Sequence, residues 1–503
     1  MTDAFIAKQD GTIMGHPKGL FVLFFTEMWE RFCFYSMRAY IVLYMTKALL
    51  FTEKTSNGIY GAYLGIGYAS TFFGGMLADR LLGQRRAIFL GGTLMAIAQF
   101  ALGAHALLVP VPAPGAEPKA EALFFGLNML FFLALGLFDA GQGFFKPNIS
   151  TIVGSLYERG DPRRDGAFTI FYMGINIGAA LAGISGQVSQ KYGWHWGFFL
   201  AGGGMILAQV IFYAWREALL GKGLPPRSEV GKSGGARPSV LLLVIGIVLF
   251  IPVAGYALAH PTYVQNIASL FMIPVLAYLI WIALSSTREE RDRMIVIIVL
   301  CSFCTMFWAF FELAGSAINL FADQRVDLTV PIFGELTSSL VTASTNAVMI
   351  VLLGIPFARL WVWLDKRRME PSSPLKFALG LAQLGAGFYA LYLGAIQAGI
   401  TGKCNIMYLI LGFFLHTTGE LCLSPVGLST ITKLSPAKYV GMFMGVWFLF
   451  TAMGYVVGGW VGGLTEDKGY AEVFRLITWI AIGAGVFLGL LSPLLKRMMH
   501  GVK

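Results

Sequence analysis

Between Leu20 and Leu50 an otherwise apolar run carries Glu27, Glu30, Arg31, Tyr35 and Arg38. At about 100° per residue, positions 27, 30, 31, 34, 35 and 38 of a helix fall within one arc of roughly 140°. Two carboxylates, two guanidiniums and a phenol therefore share one face. Each ionisable group in hydrocarbon costs roughly 2.5–3.5 kcal/mol on insertion scales, so this face must meet protein or water. The chemistry open to such a set is ion pairing, proton exchange and the holding of a charged solute. A single Glu27–Arg31 pair at i, i+4 would be enough to lock a helix. Five polar groups point beyond a structural role.

Few other ionisable residues interrupt apolar stretches. Lys146, in Gly141-Gln142-Gly143-Phe144-Phe145-Lys146-Pro147-Asn148, ends a long apolar run. It reads either as a lysine snorkelling to an interface or as a buried cation. The next charges come only at Glu158-Arg159, which favours burial. Asn176 falls mid-span, where its amide can hold a backbone or ligand carbonyl. Trp308, Glu312, Gly315 and Asn319 are spaced i, i+4, i+7, i+11, a stripe expected on one helix. The aromatic could be ordinary core; the glutamate on the same stripe favours a cavity lining. Glu420 is the second-half acid best placed for mid-depth, with His416 one turn away as either a packed or a rim residue. A carboxylate in apolar surroundings can exchange protons near neutral pH unless a cation compensates it.

These positions divide by sign along the chain. Arg31, Arg38 and Lys146 precede the midpoint; Glu312 and Glu420 follow it. A zwitterionic solute could set its carboxylate on the first group and its ammonium on the second. Metal binding is not indicated, since no His/Cys/Asp set has ligand spacing. Cys301 and Cys304 form a C-x-x-C inside an apolar span without partner ligands, which reads as a packed helix face. No nucleophile with a base and orienter occurs, nor a Gly-rich loop ahead of Lys-Ser/Thr, so catalysis and nucleotide hydrolysis are not indicated. Transport would be driven by an ion gradient.

The elements that must position these residues follow from composition. The 503 residues are 56% hydrophobic and 13% charged, with a mean hydropathy of +0.69. A soluble protein carries about twice that charge. Apolar blocks recur at 20–50, 58–80, 87–108, 121–146, 166–190, 196–215, 239–258, 264–285, 294–321, 338–364, 375–398, 405–432, 439–463 and 471–495, giving fourteen expected helical spans. The N-terminus has no signal-peptide pattern and reads as a cytoplasmic tail. With it inside, and with Lys47, Arg80, Lys376 and Arg475 near span ends counted to the adjoining segments, 25 of the 37 Lys and Arg fall in inside segments, eight outside and four within spans. The positive-inside rule then sets both termini in the cytoplasm. The net charge of +10 is thus a topology signal, not one for nucleic acid.

The longest inside linker, about 216–238, has the Gly/Pro/Ser composition of flexible chain. No charge interrupts 239–285, which reads as a lipid-facing hairpin. Removing it leaves six spans on each side. The organisation expected is a tail (1–19), a six-helix bundle (20–215), a linker with the extra hairpin (216–293), a second six-helix bundle (294–495) and a short tail (496–503). Gly75, Asp79, Arg80, Gly83, Arg85 and Arg86, between the second and third spans, resemble the loop motif of the major facilitator superfamily. Leu364-Asp365-Lys366-Arg367-Arg368 is an acid beside a basic cluster at the matching place in the second half, as suits a pseudo-two-fold transporter.

The residues carry a closer resemblance, to the proton-dependent oligopeptide transporter family. Its first-helix signature Glu-x-x-Glu-Arg-Phe-x-Tyr-Tyr is met by Glu27-Met28-Trp29-Glu30-Arg31-Phe32-Cys33-Phe34-Tyr35, with Phe34 in place of the first tyrosine. Phe171-Tyr172-Met173-Gly174-Ile175-Asn176-Ile177-Gly178 matches the fifth-span signature in full. Phe145-Lys146-Pro147-Asn148, the 307–312 segment and the 419–429 segment are also similar to the family. The resemblance implies symport of di- and tripeptides with protons into the cell by a monomer of the inner membrane, with no cofactor. It implies that Arg31 and Lys146 receive the peptide carboxylate near Tyr35, Tyr68 and Asn176, and that Glu420, near Ser424, receives the ammonium. Glu27, Glu30, Arg31 and Glu312 would couple protons, Arg38 would pair with Glu312, and Trp308 and Trp447 would wall side-chain pockets. Phe34 and Leu313 depart from the family pattern. The competing readings are a small-anion carrier such as one for nitrate, which Glu420 would repel, and a sensor built on the same fold, for which no large soluble output domain is present.

Overall fold

The computed structural model describes residues 12–158, 161, 163–225 and 238–502. The start of the expected N-terminal tail with Lys8, the basic residues Arg159, Arg227, Lys232, Arg237 and Lys503, and linker positions 226–237 lie outside the described residues. In chain order the helices are α1 Lys18–Lys47, α2 Glu53–Leu77, α3 Gln84–Leu108, α4 Leu127–Ser155, α5 Arg163–Tyr192, α6 Trp194–Ala214, α7 Pro238–Ala259 and α8 Pro261–Leu284. They continue with α9 Arg288–Phe311, α10 Ala317–Arg325, α11 Ser338–Lys366, α12 Ser373–Thr401, α13 Ile406–Leu434, α14 Val440–Lys468 and α15 Tyr470–Met498.

Twelve described stretches are long and apolar enough to cross a membrane, α9 and α10 together forming one of them. The two remaining long helices, α1 and α2, have 30 and 25 residues. Both fall short in apolarity for visible reasons. α1 holds Glu27, Glu30, Arg31 and Arg38, and α2 is thinned by glycine and tyrosine. With them the fold has fourteen membrane-length passes and is all-helical, since its only described strands are two residues long.

Local chemistry sets the helix ends. The Thr287 hydroxyl accepts from the Glu290 amide at the start of α9, and Asn405 accepts from the Met407 amide at the start of α13; such caps satisfy amides the helix itself leaves open. Before α5, the Asp161 carboxylate accepts from both the amide and the guanidinium of Arg163. Those bonds hold it below the usual carboxylate range.

The chain forms two compact units. The first comprises Met1–Arg38, Gly67–Val109 and Phe124–Tyr256; the second comprises Ala39–Ile66, Pro110–Leu123 and Ala257–Lys503. The division passes through α1 after Arg38 and through α2 after Ile66. In the first unit α4 packs on α3, and α3 on α6; in the second, α12 packs on α13 and α15, and α9 on α14. Of the apolar windows of α7 and α8, 22% and 17% are buried.

Two expectations about local structure are corrected. The 294–321 stripe does not lie on one helix. α9 ends at Phe311, a 3-10 turn occupies Glu312–Gly315, and α10 starts a new helix at Ala317. The linker is also ordered at its start. After a 3-10 turn at Arg216–Leu219, the Gly223 carbonyl accepts from the Arg85 amide at 2.9 Å. This contact uses the 75–86 motif. Gly83 there has φ 76°, and a Cβ on it would stand 2.6 Å from the Pro225 nitrogen. Only glycine meets both demands. The motif's Asp79 accepts from Gln84 Nε2 at 2.9 Å.

Candidate functional site

In the first unit the charged face of α1 is buried: Glu27, Glu30 and Arg31 are each 3% exposed or less. Arg31 Nε stands 3.0 Å from Glu27 Oε1 and is also bonded to Glu30 Oε2. One nitrogen thus serves two carboxylates. On the same guanidinium, Nη2 is buried and has no hydrogen-bond partner; nor do Glu27 Oε2 and Glu30 Oε1. A buried charged donor left unmade costs several times the net worth of a formed hydrogen bond, so these atoms are suited to a transient partner.

Phe34, the departure from the signature, is buried with its ring 5.2 Å from the Arg31 guanidinium carbon. It stacks on Phe138 of α4 at 6.5 Å. The position therefore holds Arg31 by its ring face, a cation–π contact for which no hydroxyl is needed. One turn on, the Arg38 guanidinium lies over the Tyr35 ring at 5.4 Å.

Lys146 does not end its helix. α4 continues through Pro147 to Ser155. Its ammonium sits 3.5 Å from the centre of the Tyr68 ring and is half-buried. Coulombic interactions link it to Arg31 and Glu30 within the unit. Asn176 on α5 is buried and donates Nδ2 to the Tyr172 carbonyl at 2.9 Å, which leaves its carbonyl oxygen the outward group.

The second unit carries the acids. Glu312 is 6% exposed and begins the 3-10 turn that breaks the span. Trp308, one turn earlier, packs edge-on against Phe311 and Tyr455, and its indole N–H has no partner. Glu420 on α13 is 8% exposed, and its Oε2 accepts from Asn346 Nδ2 at 3.0 Å. The same amide donates to Thr417 Oγ1 at 3.0 Å. Ser424 follows one turn later, half-buried, just before the in-helix Pro425. Trp447 is buried edge-on to Phe377. His416 is a packed residue: fully buried, with Phe388 at 4.8 Å and Phe311 and Phe413 around it.

Sequence reasoning missed two polar residues. Asn346, which anchors Glu420, sits in the polar run Thr345-Asn346 of an otherwise apolar helix. Asp139, in α4, is a carboxylate with no exposed surface. Its signal in the sequence is a lone acid in an apolar run. Cys301 and Cys304 are both buried in the hydrophobic core of the second unit, as a packed face requires.

Fourteen membrane-length helices with cations and acids buried at membrane depth are the construction of a solute carrier. Residues 85–480 match the POT family. The chain is 36% identical over 497 residues to the uncharacterized transporter YclF of Bacillus subtilis (strain 168), spanning 97% of this chain and 96% of that one. It is 34% identical over 523 residues to the di-/tripeptide transporter of Lactococcus lactis subsp. lactis (strain IL1403), spanning 98% of each. The solved structure of peptide transporter POT in complex with sulfate superposes with a TM-score of 0.83 at 36% identity, covering 98% of both chains. This chain belongs to the POT family, a transporter family of the major facilitator superfamily.

Proposed function

We propose that this protein is a proton-coupled symporter that imports di- and tripeptides by alternating access. The observation that carries the reading is Arg31, a buried guanidinium whose Nε is shared by Glu27 and Glu30 and whose Nη2 is unpartnered. A solute carboxylate can take Nη2 together with Nε, the bidentate edge, only by displacing the two glutamates. A proton on either glutamate weakens their hold and frees Arg31 for the solute, so that proton occupancy and carboxylate binding favour one another. The relatives named for peptides support the solute class.

In this reading the peptide carboxylate is taken by Arg31 and Lys146, with Tyr35, Tyr68 and Asn176 alongside. The peptide ammonium is taken by Glu420, steadied by Asn346, with Ser424 at its side. Trp308 and Trp447 wall the side-chain pockets. Arg38 pairs with Glu312, which joins Glu27, Glu30 and Arg31 in proton coupling. The halves are 20–215 and 294–495, the 216–293 segment is an accessory, and the protein works as a monomer in the inner membrane with both termini cytoplasmic. Coupling needs only modest energies, since about 1–3 kcal/mol changes an affinity by 5–150-fold.

The test is uptake of labelled dialanine into proteoliposomes under an imposed pH gradient. Wild-type protein accumulates peptide uphill; Arg31→Ala and Lys146→Ala lose driven uptake. Glu27→Gln and Glu30→Gln still exchange peptide across the membrane but no longer concentrate it. Uphill accumulation by both glutamine variants would remove the coupling role. Nitrate uptake in place of dialanine would give the anion-carrier reading, and binding without any uptake the sensor.

A further inference from the structure

Asp139 lies on α4 two turns before Lys146, with no exposed surface and no hydrogen-bond partner on either carboxylate oxygen. The surrounding helices come close enough to seal it. A Cβ added to Gly91 of α3 would stand 2.5 Å from the Gly141 carbonyl oxygen. One added to Gly74 of α2 would meet the Gly143 carbonyl, and one on Gly136 would stand 2.6 Å from the Ile251 carbonyl of α7. Ser70 of α2 reaches the same place, but its hydroxyl is spent on backbone, donating to the Gly67 and Asp139 carbonyl oxygens at 2.7 and 2.9 Å. What remains around the carboxyl is another acceptor. A Cβ on Gly67 would lie 2.9 Å from Asp139 Oδ1 and 2.7 Å from Gln142 Oε1, so both oxygens face Gly67. Gln142 Nε2 has no partner either.

No charge answers Asp139 from any packed element. α2 presents Gly67 and Ser70, α3 Gly91 and Met95, α7 Ile251 and Ala254, and α1 reaches α4 here through Phe34 on Phe138. The titratable groups on these helices are engaged elsewhere. Glu27 and Glu30 are bonded to Arg31, Tyr68 lies under Lys146, and His105 of α3 stacks on Phe131, two turns away. An ionised, unpaired carboxylate in such a place is costly, and the group neutralises instead. One proton turns an unpartnered Asp139 oxygen into a donor, with Gln142 Oε1 the acceptor that faces Gly67 beside it. Reversing the Gln142 amide would supply one neutral donor and leave the charge uncompensated.

α2 also divides between the two compact units between Ile66 and Gly67, the residue that covers Asp139. We infer that Asp139 is a second proton-binding site of the transport cycle, separate from the α1 glutamates, holding its proton while α2 lies closed on α4 and exchanging it when that contact loosens. This rests on the symport reading above and adds one proton to it.

Two measurements test it. In proteoliposomes, the pH gradient that just balances a fixed dialanine gradient gives protons moved per peptide, a ratio independent of how much rate a variant loses. Asp139→Asn is expected to lower that ratio by one proton; an unchanged ratio overturns the inference. Infrared spectroscopy of the wild-type protein reads the acid directly. A protonated-carboxyl band is expected that Asp139→Asn removes, Asp139→Glu shifts, and dialanine with a pH jump diminishes. No band assignable to Asp139, or one indifferent to peptide and pH, makes it a fixed structural group and overturns the inference even where Asp139→Asn fails to fold. If wild-type vesicles show no proton-driven uptake, the symport reading fails first, and the infrared band still decides whether Asp139 binds and exchanges a proton.

Discussion

Arg31 is held from three directions that differ in kind: two carboxylates on Nε, an aromatic face at 5.2 Å, and nothing on Nη2. The aromatic contact contributes orientation without consuming a donor. Replacing Phe34 by leucine keeps apolar bulk and removes the π face. A desolvated cation–π contact is worth about 0.5–2 kcal/mol, so Phe34→Leu should weaken dialanine binding by about 2–30-fold, read by equilibrium binding in detergent. Unchanged affinity would mean the ring does not position the guanidinium. On the acidic side, Asn346→Leu deprives Glu420 of its 3.0 Å donor. A hydrogen bond to a charged group is worth about 1.5–3 kcal/mol, so that variant should lose affinity for dialanine by about 10-fold or more. It should lose little for an N-acetylated dipeptide, which has no ammonium to receive; equal losses would separate Asn346 from amine recognition. The α1 charges and Glu420 were legible because ionisable residues stand out in apolar text. Asn346 was not, because which amide meets which acid depends on the pairing of α11 with α13, and no spacing within one helix encodes that.

Helix existence followed from hydropathy, but helix continuity did not. The Trp308–Asn319 stripe assumed an unbroken 3.6-residue period, whereas Glu312–Gly315 tightens to a 3-10 turn and Ser316 takes φ −128°, ψ −101°. Nothing in the local sequence forbids a continuous helix there. The break belongs to how the two segments pack: Asn319 of α10 donates to the Ala39 carbonyl of α1 at 2.7 Å. Close helix approach is the other element-level device. In the second unit a Cβ on Gly61 of α2 would stand 2.7 Å from the Gly459 Cα and 2.7 Å from the Tyr455 carbonyl oxygen of α14. Backbone cannot step aside as a side chain can, so Gly61→Ala should cost about 1–3 kcal/mol and lower the thermal midpoint in detergent. Gly203 of α6 has nothing within 4 Å of such a Cβ, and there alanine should raise stability by about 0.5–1 kcal/mol through helix propensity alone. Equal responses at the two sites would show that the glycines act through backbone entropy and not through packing.

At the scale of the whole molecule, the succession of helices follows from hydropathy, while the direction in which the chain threads the membrane is a separate physical statement that rests on charge. From the 25-to-8 split of Lys and Arg, the expected outcome is an α3–α4 connection on the outside and the end of α11 on the inside. All five native cysteines are buried, so a single introduced cysteine at an exposed position is a selective reporter. Ala116 lies exposed between α3 and α4, and Lys366 is exposed at the end of α11. Ala116→Cys should react with a membrane-impermeant maleimide on intact cells. Lys366→Cys should react only after the membrane is permeabilised, and pre-blocking with a permeant thiol reagent should abolish both signals. The reverse pattern would turn the molecule over, set the cytoplasmic ends of every helix outside, and require a proton gradient of the opposite sense to drive uptake. Labelling of both sites on intact cells would mean that the chain does not take up one orientation, and the positive-inside argument would fail for this protein as a whole.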